Sequence, residues 1–188
     1  MAGPGQRRTF VVVDGENIDA TLGTSILQRR PNPEERPRWD RVTEFATGLW
    51  DQPVTGLFFI NATQGQLPLP FIQALLALSY RVVPLAGGAD EKVVDIGIQR
   101  TLDAMLGHAD ADLLLVSHDA DFAPHVERLQ ADGRRVGVLG FPEFTSTQFT
   151  SRGVPVFDLE TDVGAFNTTL PRVRIIPLDA FDPEVFLR

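Results

Sequence analysis
The sequence predicts an α/β protein, a three-layer doubly wound sheet of about five parallel strands followed by a C-terminal extension. Two observations carry that prediction. Five short apolar runs rich in β-branched or aromatic residues recur, and they are nearly continuous rather than alternating, the pattern of strands covered by helices on both faces. Stretches with helical spacing lie between them, and right-handed crossovers wind such an alternation into a parallel sheet.

Taken in order, Thr9–Val13 is the first strand and ends at Asp14. The stretch Arg29–Pro37 holds three prolines and mixed charge, so it cannot continue a helix and reads as an exposed surface loop. Helices are expected at Trp39–Trp50, Pro70–Leu78, Glu91–Leu106 and Phe122–Ala131. The strands between and after them are Gly56–Ile60, Arg81–Leu85, Leu113–Val116 and Arg135–Leu139, with a further one at Val154–Leu159. At about 150 residues per domain, residues 1–160 form one domain. Residues 161–188 are punctuated by Pro171, Pro177 and Pro183 yet carry Val173, Ile175, Ile176, Phe181 and Phe186. Those apolar side chains predict a tail that packs on the domain or on a partner, a second copy in a homodimer included.

Composition narrows the function classes. Of 188 residues 43% are apolar and 22% charged, enough for a sizeable core and inconsistent with wholesale disorder. With no cysteine, disulfide frameworks, zinc fingers, thiol catalysis and iron–sulfur clusters are excluded together, and the cytoplasm is the expected compartment. The apolar run after Met1–Arg8 is too short for a signal-peptide core, and no window reaches the roughly 20 apolar residues of a membrane helix. Seventeen basic against 25 acidic residues give a net charge of −8, so bulk attraction does not draw this chain to nucleic acid. A site that holds divalent cations must nevertheless concentrate carboxylates, and the cations reverse the local sign. Basic residues gather early, at Arg7, Arg8, Arg29, Arg30, Arg36, Arg38 and Arg41, while Lys92 is the single lysine.

The acids fall where an open parallel sheet binds ligands, beyond the carboxyl ends of its strands at the point where the winding reverses. The first strand ends in Asp14, followed by Gly15, Glu16 and Asn17; the fourth ends in Ser117, His118, Asp119, Ala120 and Asp121. If those strands are neighbours, Asp14, Asp119 and Asp121 face one crevice. Each also suits helix capping, Asp121 in particular, with Pro124 in the following first turn. Asp95 lies in the first turn of a helix whose apolar face is Val94, Ile98, Leu102 and Met105, and at about 100° per residue it sits on the flank of that face. Asp103, Asp110 and Asp112 read as a solvated face and loop. Ionised carboxylates crowded together repel, and a bound dication relieves the conflict; an all-oxygen set without cysteine selects Mg²⁺ or Mn²⁺. Such sites serve phosphoryl chemistry, with Asn17 and Ser117 as uncharged hydrogen-bonding groups and Lys92 reaching a carboxylate or a phosphate.

These residues resemble a known family. Val12–Asn17 is similar to the D-x-x-N opening of the NYN domain, a branch of the PIN-like nuclease fold; Lys92–Asp95 resembles its K-x-x-D segment; Ser117–Phe122 with Pro124 resembles its S-x-D-x-D-F-x-P signature, and the later strands suit the LabA-like group. The resemblance covers about residues 9 to 160. It implies a metal-dependent ribonuclease with Asp14, Asp95, Asp119 and Asp121 as ligands and catalytic residues, Asn17, Lys92 and Ser117 on the substrate side, and RNA as partner. His118 stands where the family more often has glycine; it crowds the site, adds a proton-transfer group or is a hydrogen-bonding neighbour. His125 lies one turn from Asp121 and is placed to pair with it.

A non-catalytic RNA- or nucleotide-binding regulatory module on the same fold is the alternative, favoured by the acidic balance. A haloacid-dehalogenase-type phosphatase expects D-x-D at the first strand, where this chain has Asp14 and Glu16. Dinucleotide binding fails for want of a glycine-rich turn there, since both acids repel a pyrophosphate.

Overall fold
Three consecutive valines set the centre of the molecule. Val11, Val12 and Val13 are wholly buried, and because successive side chains of a strand point to opposite faces, Val11 and Val13 join one core while Val12 joins the other. Each contributes roughly 1.5–3 kcal/mol by burial. The computed structural model describes residues 6–188, so the beginning of the stretch Met1–Arg8 lies outside the described residues. Strand β1 spans Arg8–Asp14, β2 Val54–Asn61, β3 Arg81–Leu85, β4 Ala111–Val116, β5 Val136–Gly140 and β6 Val156–Asp158. All neighbours pair in parallel, in the order β3-β2-β1-β4-β5-β6. The sheet therefore has six strands, and the sixth is shorter than the expected Val154–Leu159.

The winding starts at β1, moves outward to β2 and β3, then returns to β4 on the other flank of β1. That reversal opens a crevice between the carboxyl ends of β1 and β4. One face carries α1 (Gly15–Ala20), α2 (Trp39–Trp50) and α3 (Leu69–Ala77); the other carries α4 (Val93–Met105), α5 (Ala123–Ala131) and the short α6 (Thr147–Thr150). Between them the three layers bury both sides of β4, whose six residues are all inaccessible.

Several expectations need correction. The chain after Asp14 is helical: α1 runs into a wider π-helical turn over Thr21–Leu27, with Ile18, Leu22 and Ile26 buried at a spacing of four. Gly15 is required there, because a Cβ would meet the Phe58 ring at 2.5 Å. The Arg29–Pro37 loop is exposed over most of its length, as expected, but it is anchored. Pro31 and Pro37 are buried, Arg29 Nη1 donates to Glu35 Oε2 at 2.7 Å, and Arg36 Nε donates to Asp19 Oδ1 at 2.6 Å. Asp112 is not solvated: it lies inside β4, fully buried, and accepts from Arg7 Nη1 at 2.7 Å, Gln52 Nε2 at 3.0 Å and the Arg135 N–H at 2.8 Å. Buried charge in the sheet is tolerated because those donors replace its water.

The tail divides in two. Up to Arg174 it is attached: Ala165 and Leu170 are buried, and Arg172, over the Phe141 ring, reaches Glu143, Asp158 and Glu160. Arg174 adds bonds to Asp158 and Glu160. Beyond it the apolar side chains are exposed, Ile175 at 98% and Leu178 at 88%.

Candidate active site
Asp14 ends β1 in the reversal crevice and is 3% exposed. The backbone leaves the strand there and enters α1, so Asp14 Oδ1 accepts from the Asn17 N–H at 3.4 Å as a helix cap. Its other oxygen accepts from the Ser117 hydroxyl at 3.0 Å. Ser117, just past β4 and fully buried, also accepts from the Asp119 N–H at 3.2 Å, and so joins the ends of β1 and β4. Asn17 makes a second stitch, its Oδ1 accepting from the His118 N–H at 2.9 Å. The residues after β4 form a tight turn in which Asp119 Oδ1 accepts from the Asp121 N–H at 2.9 Å. The capping aspartate of that turn is therefore Asp119; Asp121 is exposed in its first turn.

Asp95 enters from α4, in whose first turn it lies half-buried, with Lys92 Nζ 4.0 Å from its Oδ2. Lys92 itself is 76% exposed at the rim. The acids influence one another. Burial pushes the Asp14 carboxyl up to about 6, opposed by the Ser117 hydrogen bond and reinforced by the charge of Asp95. Burial also raises Asp95, with Asp119 and then Asp121 adding to the effect and Lys92 opposing it. Among the described residues no arginine or histidine pairs with Asp14, Asp95, Asp119 or Asp121. The donor set is hard carboxylate oxygen with negative charge left uncompensated, which fits Mg²⁺ or Mn²⁺. Among the described residues no three acids or imidazoles already stand as a closed ligand group.

His118 is a hydrogen-bonding neighbour. Its Nε2 accepts from the Phe141 N–H at 2.8 Å, so Nδ1 carries the proton and donates to Thr21 Oγ1 at 3.1 Å. Burial pushes its pKa down to about 4, which keeps the ring neutral near pH 7. Gly140 leaves room for it, since a Cβ there would meet the imidazole at 2.7 Å. His125 does not pair with Asp121; it meets Asp103 at 2.8 Å on the outer surface, because α5 turns that side toward α4.

The early arginines are mostly engaged elsewhere. Arg8 begins the strand that Asp14 ends, so Arg7 and Arg8 sit at the opposite edge of the sheet. Arg36 and Arg38 pair with Asp19 and Asp40, and Arg41 binds tail carbonyls. Arg30 is exposed and forms no ion pair among the described residues. It borders a concavity between α1 and the loop, with Ala20, Gly23 and Thr24 on the helical side. Sequence reasoning missed Thr21, whose signal would have been the Ile18, Leu22, Ile26 spacing that makes the segment helical.

The sheet is wholly parallel, and the ends of β1 and β4 meet at the reversal of its winding through Asp14 and Ser117. The sequence pattern of the NYN domain matches residues 8–154, and the chain belongs to the NYN domain family. Its fold is also that of a solved Vibrio parahaemolyticus protein of unknown function, VPA0982, with a TM-score of 0.66 and 21% identity over 87% of this chain and 99% of that one. No curated protein matches the chain.

Proposed function
We propose that the chain is a Mg²⁺- or Mn²⁺-dependent ribonuclease that hydrolyses RNA phosphodiester bonds, acting as an endoribonuclease. The observation that supports it most is Asp14, a buried carboxylate at the sheet reversal that no cation pairs with among the described residues, raised further by Asp95, which in turn feels Asp119 and Asp121. In this reading Asp14, Asp95, Asp119 and Asp121 hold the cation. The chemistry a dication supplies at such a place is a lowered pKa for water and stabilisation of charge on the phosphoryl oxygens and the leaving group.

The chain's own groups do the rest. Ser117 fixes Asp14 Oδ2 by donating to it and ties Asp119 to the same point, so it positions the acids. Asn17 has its carbonyl occupied by the His118 N–H, which leaves its amide nitrogen to donate to a phosphate oxygen. Lys92, exposed beside Asp95, contacts the RNA backbone, and the exposed Arg30 offers a further phosphate contact. The half-buried Asp95 and Asp119 and the exposed Asp121 have the freedom to adjust around a cation that the buried Asp14 lacks.

The test is degradation of a mixed RNA pool by purified protein with Mg²⁺ or Mn²⁺ and with chelator as control. Cleavage that needs the cation and disappears in Asp14→Asn and Asp119→Asn supports the reading; cleavage unchanged in both variants overturns it. The alternative, a regulatory module that binds RNA without cutting it, is favoured by the absence of a closed ligand group among the described residues. It predicts RNA binding that survives chelation.

A further inference from the structure
Two apolar surfaces of this chain have no cover. Of the thirteen large hydrophobic residues that stand exposed among the described residues, four lie in or beside α3 and eight in the tail from Val173 to Leu187. Isolated exposed leucines need no explanation, but contiguous patches of this kind mark contacts. Helix α3 (LPFIQALLA) contains no charged residue and one polar one, Gln73, so it is apolar on the side turned to water as well as on the side turned to the sheet. A helix apolar all round belongs in an interior. From Ala62 to Ala89 the only charged residue is Arg81.

The two surfaces also match in charge. Asp179, Asp182 and Glu184 punctuate the exposed tail, and none forms an ion pair among the described residues. Arg81 and Arg100 border the sheet edge that carries α3 and are likewise without an ion pair there. Arg100 lies at a groove between β3 and α4 whose floor includes Val83, Leu85 and Ile96. Pro84 removes one backbone N–H from β3, which weakens this edge as a template for a further strand.

We propose that the segment 175–187 of one chain docks on the α3 face and the β3 edge of a second copy, and that two copies exchange these arms reciprocally. Topology and charge favour a second copy over the chain's own α3. Arg172 and Arg174 root the arm on Asp158 at the end of β6, the edge opposite β3. At about 4.8 Å per strand the arm would cross about 24 Å of sheet to reach its own α3. A path over the carboxyl ends would lay its three acids beside Asp14, Asp95, Asp119 and Asp121. A reciprocal exchange avoids that repulsion and closes with two-fold symmetry into a discrete dimer.

Sedimentation velocity on the full chain tests this, with Leu76→Glu as the α3 variant and Leu178→Glu/Phe186→Glu as the arm variant; all three side chains are exposed, and unchanged circular dichroism confirms folding. The expected result is a dimer that each variant weakens at least tenfold, with an equimolar mixture of the two variants forming a heterodimer through its one intact arm and α3 pair. A wild-type monomer at 100 µM overturns the proposal. So does a dimer indifferent to the arm variant, which would indicate direct pairing of α3 helices, and so does a mixture that stays monomeric.

Discussion

Asp14 and Asp112 sit on adjacent strands, both buried, at opposite ends of the sheet. Asp112 is surrounded by donors: the Arg7 guanidinium, the Gln52 amide and the Arg135 N–H. Asp14 has a hydroxyl and one long backbone contact, and its nearest charges are the acids Asp95 and Glu16. A chain that folds around a fully satisfied aspartate at one edge and leaves another poorly satisfied at the other is giving up stability at the second place. Perturbed buried acids without a cationic partner cluster at functional sites, which is what favours the proposed role of Asp14, whereas the compensated burial of Asp112 is architecture.

The largest expected effect separates these two roles. Asp112→Ala leaves the Gln52 amide, the Arg135 N–H and the Arg7 charge without their acceptor, and urea unfolding should show a loss of about 2–4 kcal/mol. Asp14→Asn should act in the opposite direction. A carboxyl raised from 3.8 to about 6 costs the folded state up to about 3 kcal/mol at pH 7, so in metal-free buffer this variant should be the more stable protein while losing RNA cleavage. Equal destabilisation by the two substitutions would remove the distinction. Next comes the metal: Mn²⁺ should raise the melting temperature of the wild type and leave that of Asp14→Asn unmoved, as read by differential scanning fluorimetry.

A pH series gives a smaller and more diagnostic effect. The folded state holds the Asp14 proton between pH 3.8 and about 6, where the unfolded chain has released it, so this group's contribution falls as pH rises through that window. His118 has the reverse sign. Its folded pKa of about 4 lies below the ordinary 6.5, so its contribution rises with pH between about 4 and 6.5. The two largely offset one another in the wild type. His118→Gln should expose a stability that declines from pH 4 to 6, and Asp14→Asn one that climbs. Smallest of all, Lys92→Ala should change stability by less than about 0.5 kcal/mol, its contact with Asp95 being exposed, while raising KM for RNA.

Much of this was legible in the sequence. Continuous apolar runs located the strands, most plainly β4, whose Leu113–Val116 run is buried on both faces and leaves no place for alternation, and helical spacing located Trp39–Trp50 to the residue. The adjacency of the first and fourth strands was a condition of the sequence reading, and the parallel pairing of β1 with β4 meets it, bringing the ends carrying Asp14 and Ser117 together. Helix α1 was obscured because Gly15 weakens helical propensity and the acids around it drew attention to chemistry; only contact with Phe58 explains why glycine stands there. Asp112 was unreadable for a different reason. Its partners come from residues 7, 52 and 135, and such long-range satisfaction leaves no local trace. The same holds for His118, which burial keeps neutral and whose ring nitrogens meet Thr21 and the Phe141 N–H from distant parts of the chain.

The arginine clip at Arg172 has a practical consequence. The family pattern ends at residue 154, before β6 begins, yet Asp158 at the end of that strand is held by Arg172 and Arg174 from far downstream. The unit that folds is therefore longer than the stretch the family pattern matches. A protein trimmed to the shared boundary would bare the flank of β5 and discard Leu159, Ala165 and Leu170 from the interior, so poor solubility of such a fragment would report on where it was cut and carry no information about its chemistry.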